Sequence, residues 1–266
     1  MEKKKNDFIA QGSILAIASI LVRVMGMIYR IPMTAIIGDK GNGFYSYAYS
    51  VYTILLLLSS YSLPLAVSKM VSAKAQLGQW RNVKRVFICA IAFAIGIGTT
   101  FGLIVLIGAQ FFTRVFFHSE LAAIALRFMA PTILIMALLG VFRGFFQGLQ
   151  NTLPTAVSQI VEGLINAIMS VVFAYFLFDF GHGMDAAGGT TDLGYAWGAA
   201  GGAIGTGAGA LAGLIFCFIL FVAYRKILAV NISRDKTGTQ QEYGDIFRLM
   251  LSIALPVILS LSLIHI

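Results

Sequence analysis

The chain is poor in charge, cysteine and proline. Of its 266 residues only 11% are charged while 59% are apolar, against about 25% and 45–50% in soluble domains, and that shortage excludes an ordinary water-soluble fold. Its two cysteines, Cys89 and Cys217, both fall in apolar runs, so there is neither a disulfide framework nor a thiolate metal cluster to build. Of three histidines none stands at ligand spacing from another His or Cys, which leaves His182 without a role. Paired acids at hydrolytic spacing, a nucleophile with its base and an Asp-rich metal motif are missing from every apolar run. The expectation is a protein without metal or cofactor, and not an enzyme.

What is present is a succession of apolar runs of 20 to 30 residues, each long enough to cross a ~30 Å hydrocarbon core. The reading is an all-α polytopic membrane protein. Six spans are expected at about 8–37, 43–70, 85–111, 121–146, 155–178 and 195–224, with a seventh starting near Asp245. MEKKK before the first run imitates a secretory signal, but the run is too long and holds two arginines, so it reads as a retained helix.

The net charge of +8 does not point to nucleic acid, because the basic residues are scattered between spans rather than gathered in a stripe with aromatics. They report topology instead. Lys3, Lys4, Lys5, Lys69, Lys74, Arg81, Lys84, Arg85, Arg225, Lys226, Arg234 and Lys236 fall on one side, with only Lys40 and Arg114 on the other beside Asp39, Glu120, Asp179, Asp185 and Asp192. The positive-inside rule then puts the N-terminus in the cytoplasm. The stretch 179–194, DFGHGMDAAGGTTDLG, reads as an external, solvated connector.

The sixth span contains GAAGGAIGTGAGALAG, 198–213, which lacks both the Gly-Lys-Ser/Thr ending of a Walker loop and a GxGxxG after a strand. Instead Gly201, Gly205, Gly209 and Gly213 recur every four residues, the pattern that lets a neighbouring helix backbone approach closely in a membrane.

A few charges lie within spans, and each costs on the order of 2.5–3.5 kcal/mol at the bilayer centre on insertion scales. Arg23 and Arg30 are seven residues apart on the first span, within about 20° of one helical face. Arg30 is shallow enough to snorkel outward. Arg23 is deeper, and either forms a structural ion pair or faces an anion in a wet cavity. Pro32 adds a bend, as in helices that move in transporters. On the fourth and fifth spans Arg143 and Glu162 fall at similar depth, as a structural salt bridge or as a pair whose carboxylate takes up a proton or cation between states. Arg127 reads as structural or snorkelling.

RGFFQGLQNTLPTAVSQIVE (143–162), with LVRVMGMIYRIPMTAIIGDKGNGFYSYAYSVY (21–52) and LPLAVSKMVSAKAQLGQ (63–79), resembles the polysaccharide-transporter branch of the multidrug/oligosaccharidyl-lipid/polysaccharide flippase superfamily, near the stage V sporulation protein B-like proteins and lipid II flippases. The resemblance covers approximately residues 8–178. It implies 12 to 14 helices in two six-helix lobes that rock about a central cavity in the bacterial plasma membrane, moving a lipid-linked saccharide diphosphate outward across the bilayer. Proton or sodium coupling goes with it. It also implies substrate binding by arginines of the first helix. Arg23 fits that pattern directly, and Arg30 is offset by one residue from the flippase spacing. The second-helix arginine of those flippases is replaced here by a stretch with Tyr45, Tyr47, Tyr49 and Tyr52. Arginine suits phosphate oxygens through planar bidentate donors. The alternatives are a cation-coupled multidrug antiporter, which would place acids in a cavity whose first four spans here hold none, and a membrane glycosyl transferase or ligase using the same donor.

On this reading residues 1–244 form the N-terminal transmembrane lobe and 245–260 begin the seventh helix of a second lobe. LSLIHI, 261–266, matches the translated end of a transposase sequencing adapter and reads as adapter-encoded. His265 accordingly has no role.

Overall fold

A computed structural model of the chain describes residues 2–60, 62–188 and 192–264, with side chains placed for 12–60, 62–186, 188 and 192–256. Among the described residues every element is a helix: α1 Glu2–Ser59, α2 Leu63–Gln76, α3 Trp80–Phe117, α4 Ala122–Gly148, α5 Leu153–Gly188, α6 Leu193–Ser233 and α7 Tyr243–Ile264. The adapter reading of 261–266 concerns side chains outside this set.

At 1.5 Å per residue, α1 is too long for one bilayer crossing, and Gly38 solves this. Its φ of 63° lies in the left-handed region that glycine alone enters freely, so α1 folds into two limbs, 2–37 and 39–59. The kink is tied to the rest by Lys40 Nζ, which donates to Asp192 Oδ1 at 2.7 Å beside the start of α6.

The second limb ends sooner than hydropathy predicts. The expected span 43–70 breaks at 60–62, because Pro64 has no N–H to offer the Ser60 carbonyl. The chain restarts as α2, whose 14 residues are about 21 Å long, too short to span. α2 docks on α4 instead. There Gly140, Gly144 and Gly148 face Pro64, Val67 and Val71. A Cβ on Gly144 would stand 2.6 Å from the Pro64 carbonyl oxygen, and one on Gly148 would stand 2.7 Å from Val71 Cβ.

The acidic connector expected at 179–194 is also corrected. α5 runs on to Gly188, and Asp185 is buried rather than solvated. Its carboxylate accepts the amides of Leu193 and Gly194 at 3.0 and 2.9 Å, which satisfies free donors at the start of α6 and places a negative charge at the positive end of that helix. His182 stacks on Phe178 and serves packing. Residues 189–191 of the connector lie outside the described set.

Two apolar cores result. One gathers α2, α3, α4 and α6 around Phe87, Phe142, Phe145 and Phe221, whose rings meet at 4.5–5.6 Å. The other joins α1 and α6 to the N-terminal half of α4 through Met33, Tyr45, Leu126, Met129 and Ala203. Met136 of α4 packs on both.

The segment between α6 and α7 is strapped to the start of α3. Asp235 accepts the Arg81 amide at 2.9 Å and the Thr237 hydroxyl and amide at 2.6 and 2.9 Å. Asn82 bonds the backbone of Thr239 and Gln241, and Arg85 reaches the Gln241 carbonyl. The Arg81 amide first, then the Thr237 donors, hold the Asp235 carboxyl down at about 2, below its ordinary 3.8. A depressed carboxyl stabilises the fold above its unfolded value and loses that effect as pH falls through the folded one. Hydrogen exchange at the Arg81 and Thr237 amides should therefore stay protected at pH 4 and above. It should lose protection as pH approaches 2, and lose it already at neutral pH in Asp235→Ala.

Candidate functional site

The first limb of α1 sorts its residues by face. Its inward row runs from buried Ala18 through half-buried Val22, Met25 and Tyr29 to buried Met33, with Val22 and Met25 against α5 and Met33 against α6. On one flank Ile17, Leu21, Val24, Ile28 and Ile31 are exposed, a surface suited to lipid. At about 100° per residue, the other flank between 12 and 34 holds Gly12, Ala16, Ser19, Arg23, Gly26, Arg30 and Thr34. Its residues are otherwise small or hydroxyl-bearing, with exposed Met27 at its edge. Both arginines are exposed there, and among the described residues neither has an ion-pair or hydrogen-bond partner. Arg30 lines a shallow open depression with Ile31, Thr34 and Ala35. The ion-pair alternative for Arg23 therefore finds no acid among these residues. Arg127 of α4 is likewise exposed and unpaired among them.

The second limb has a polar flank of its own, with Asp39 rather than an arginine at its start. Asn42, Ser46, Tyr49, Ser50 and Thr53 share a sector about 100° wide. Ser50 and Thr53 donate to the carbonyls of Ser46 and Tyr49 at 2.8 Å. Such back-bonding satisfies hydroxyls within a membrane helix. Tyr45, buried as Tyr52 is, shares a 3.2 Å hydrogen bond with Thr206 of α6.

Arg143 and Glu162 do meet. Arg143 Nη2 donates to Glu162 Oε2 at 2.7 Å and Nε to Ser158 Oγ at 2.9 Å, with 11% and 25% of the two charged side chains exposed. Glu162 belongs to a row on α5, Ser158, Glu162, Asn166, Ser170 and Ala174, that lies against the glycine row of α6. A Cβ on Gly205 would overlap Ser170, one on Gly201 would overlap the backbone of Phe173 and Ala174, and one on Gly209 would stand 2.6 Å from the Glu162 carbonyl oxygen. Gly213 is looser, at 3.3 Å from the Ser158 carbonyl oxygen. Depth links the ion pair to the arginine flank: Val22 and Met25 contact Gly163, the residue after Glu162.

Beside the ion pair is a half-enclosed cleft of about 240 Å³ where α1, α2, α4 and α5 converge, with Arg143, Gln147, Thr155 and Gln159 on its polar side. Sequence reading missed this cleft and the glycine row of α4. The spacing of four in Gly140, Gly144 and Gly148 is the signal that carried the second.

No group of three or more metal-ligating side chains occurs among the described residues. Residues 8–266 match the sequence profile described as polysaccharide biosynthesis protein. Stage V sporulation protein B of Bacillus subtilis is 26% identical over 95% of this chain and 46% of its own length. The lipid II flippase MurJ of the same organism is 24% identical over 92% of the chain and 45% of its own. The chain thus spans about half the length of these curated relatives. Among solved structures, a MOP superfamily transporter from Pyrococcus furiosus superposes with a TM-score of 0.66 at 17% identity, over 93% of this chain and 51% of that one.

Proposed function

The chain belongs to the polysaccharide biosynthesis protein family and has the fold of the MOP superfamily transporters, and from that premise we propose that it is one lobe of a flippase that exports a polyprenyl-diphosphate-linked saccharide by alternating access. The flippase named among its relatives supports this class of cargo. Within the chain, the observation that carries the reading is the flank of α1 on which Arg23 and Arg30 stand exposed and unpaired among small and hydroxyl side chains. Two permanent cations with no acid beside them are matched by a diphosphate. In this reading the arginine-bearing flank lines the cavity between lobes, while the isoleucine flank meets lipid.

The N-terminus is cytoplasmic in this proposal, which the one-sided distribution of basic residues supports. Glu162 is the coupling group: proton or sodium uptake there would release Arg143 and change how α4 sits on α5. The antiporter alternative is weaker, because the flank of α1 that carries Arg23 and Arg30 offers cations no carboxylate between residues 12 and 34. Transport, not glycosyl transfer, is the activity proposed.

Binding tests this without requiring turnover. In nanodiscs the full-length protein should bind undecaprenyl diphosphate, and Arg23→Ala should weaken it by roughly ten- to a hundredfold, the loss expected when a charge-assisted contact goes. Arg30→Ala should cost less. Equal affinity in wild type and Arg23→Ala would remove the diphosphate site.

A further inference from the structure

The cleft beside the Arg143–Glu162 pair has chemistry that the diphosphate reading does not use. Leu56 and Ser60 close it from the end of α1, Pro64 from α2, Met136 and Gly140 from α4. At about 240 Å³ it falls below the roughly 300–1,000 Å³ of pockets for drug-sized ligands and suits one small ring. Its polar side is mixed. Arg143 commits its Nε proton and one Nη2 proton to Ser158 and Glu162, leaving the two on Nη1 and the second on Nη2 as its remaining donors. Gln147 Nε2 donates to Thr155 Oγ1 at 3.2 Å, leaving the Gln147 carbonyl oxygen and the Thr155 hydroxyl proton. Gln159 Oε1 is buried with no hydrogen-bond partner among the described residues. A buried acceptor without a donor is costly, and it marks a place where a ligand or solvent donor belongs.

The charges select the ligand. Glu162 neutralises Arg143 at 2.7 Å, so the cleft offers no net formal charge to hold an anion. What it offers is alternating donors and acceptors on one side and Leu56, Pro64 and Met136 on the other. Neutral hydroxyl and amide groups both donate and accept, and a pyranose also carries a C–H face for apolar contact. Position agrees. Arg23 is level with Gly163 through its neighbours Val22 and Met25, and Gln159 is four residues earlier on α5, about 6 Å along the axis.

We infer that the cleft between α1, α2, α4 and α5, with Gln147, Thr155, Gln159 and Arg143 as its polar contacts, is a subsite for one uncharged sugar ring of the cargo. It rests on the flippase reading, and its test separates the two. The probe is methyl N-acetyl-β-glucosaminide, followed by saturation-transfer NMR on full-length protein in nanodiscs, with undecaprenyl diphosphate binding measured on the same samples.

Wild type should transfer saturation to the sugar, and Gln159→Leu should weaken its apparent affinity by roughly tenfold, the effect of one lost hydrogen bond, while retaining undecaprenyl diphosphate. Arg23→Ala should do the reverse. If Gln159→Leu does not purify as a single species, Thr155→Val, of the same shape, carries the test. No saturation transfer in wild type, unchanged sugar affinity in the variant used, or displacement of the sugar by inorganic phosphate would each overturn the subsite. With undecaprenyl diphosphate binding intact, any of these leaves the flippase reading standing. Loss of undecaprenyl diphosphate binding in wild type, with the sugar still bound, would overturn the flippase reading instead.

Discussion

Gly205→Val should prevent α5 and α6 from packing together. The added Cβ would overlap Ser170 itself, including its backbone amide and Cα, so no rotamer change relieves it and α5 must move away from α6. Overpacking in a core costs about 1–3 kcal/mol where side chains can give way; here the obstacle is backbone, and the cost should exceed that range. Moving α5 also breaks the Ser170 bond to the Gly202 carbonyl and loosens the contacts at Gly201 and Gly209. Gly213→Ala is the control, since its Cβ would meet nothing nearer than 3.3 Å. Size-exclusion profiles and thermal unfolding in detergent should show Gly205→Val aggregated or absent, with Gly213→Ala close to wild type. A monodisperse Gly205→Val of unchanged stability would contradict the observed α5–α6 contact.

The second large effect concerns the ion pair. Removing one partner of a buried pair costs about 3–5 kcal/mol, because the other charge is left unpaired in a poor solvent. Glu162 is a quarter exposed, so Glu162→Ala should fall toward the lower end of that range. Arg143→Met should cost a similar amount, leaving the carboxylate stranded. The double variant Arg143→Met/Glu162→Leu removes both charges and should be more stable than either single variant, which requires a coupling in the double-mutant cycle larger than either single cost, above about 3 kcal/mol. Thermal unfolding of the four proteins measures this. The same double variant should lose coupled transport if Glu162 is the ion-responsive group, which separates a structural pair from a working one.

The sequence made the helical, membrane-spanning class legible because runs of 20 to 30 apolar residues have few other uses. It also put Arg143 opposite Glu162, since depth can be counted from helix ends. It misplaced the end of the second span, because a hydropathy window averages over the Ser59–Pro64 stretch and hides the missing N–H of Pro64. It took 179–188 for a solvated loop on glycine and acid content, whereas Asp185 turns inward to cap α6. Spacing of four located the α6 glycines, and the same rule applied to α4 would have found the α2 docking face. The cleft was not legible, because it needs four helices to converge and no single segment carries its outline.

Arg23 and Arg30 remain the centre of the functional account, and outward transport of a lipid-linked saccharide in proteoliposomes of the full-length protein tests it most directly. The account predicts a measurable rate in wild type that falls by roughly ten- to a hundredfold in Arg23→Ala, the loss expected for a charge-assisted contact with the diphosphate. A rate and substrate affinity in Arg23→Ala equal to those of wild type would contradict it.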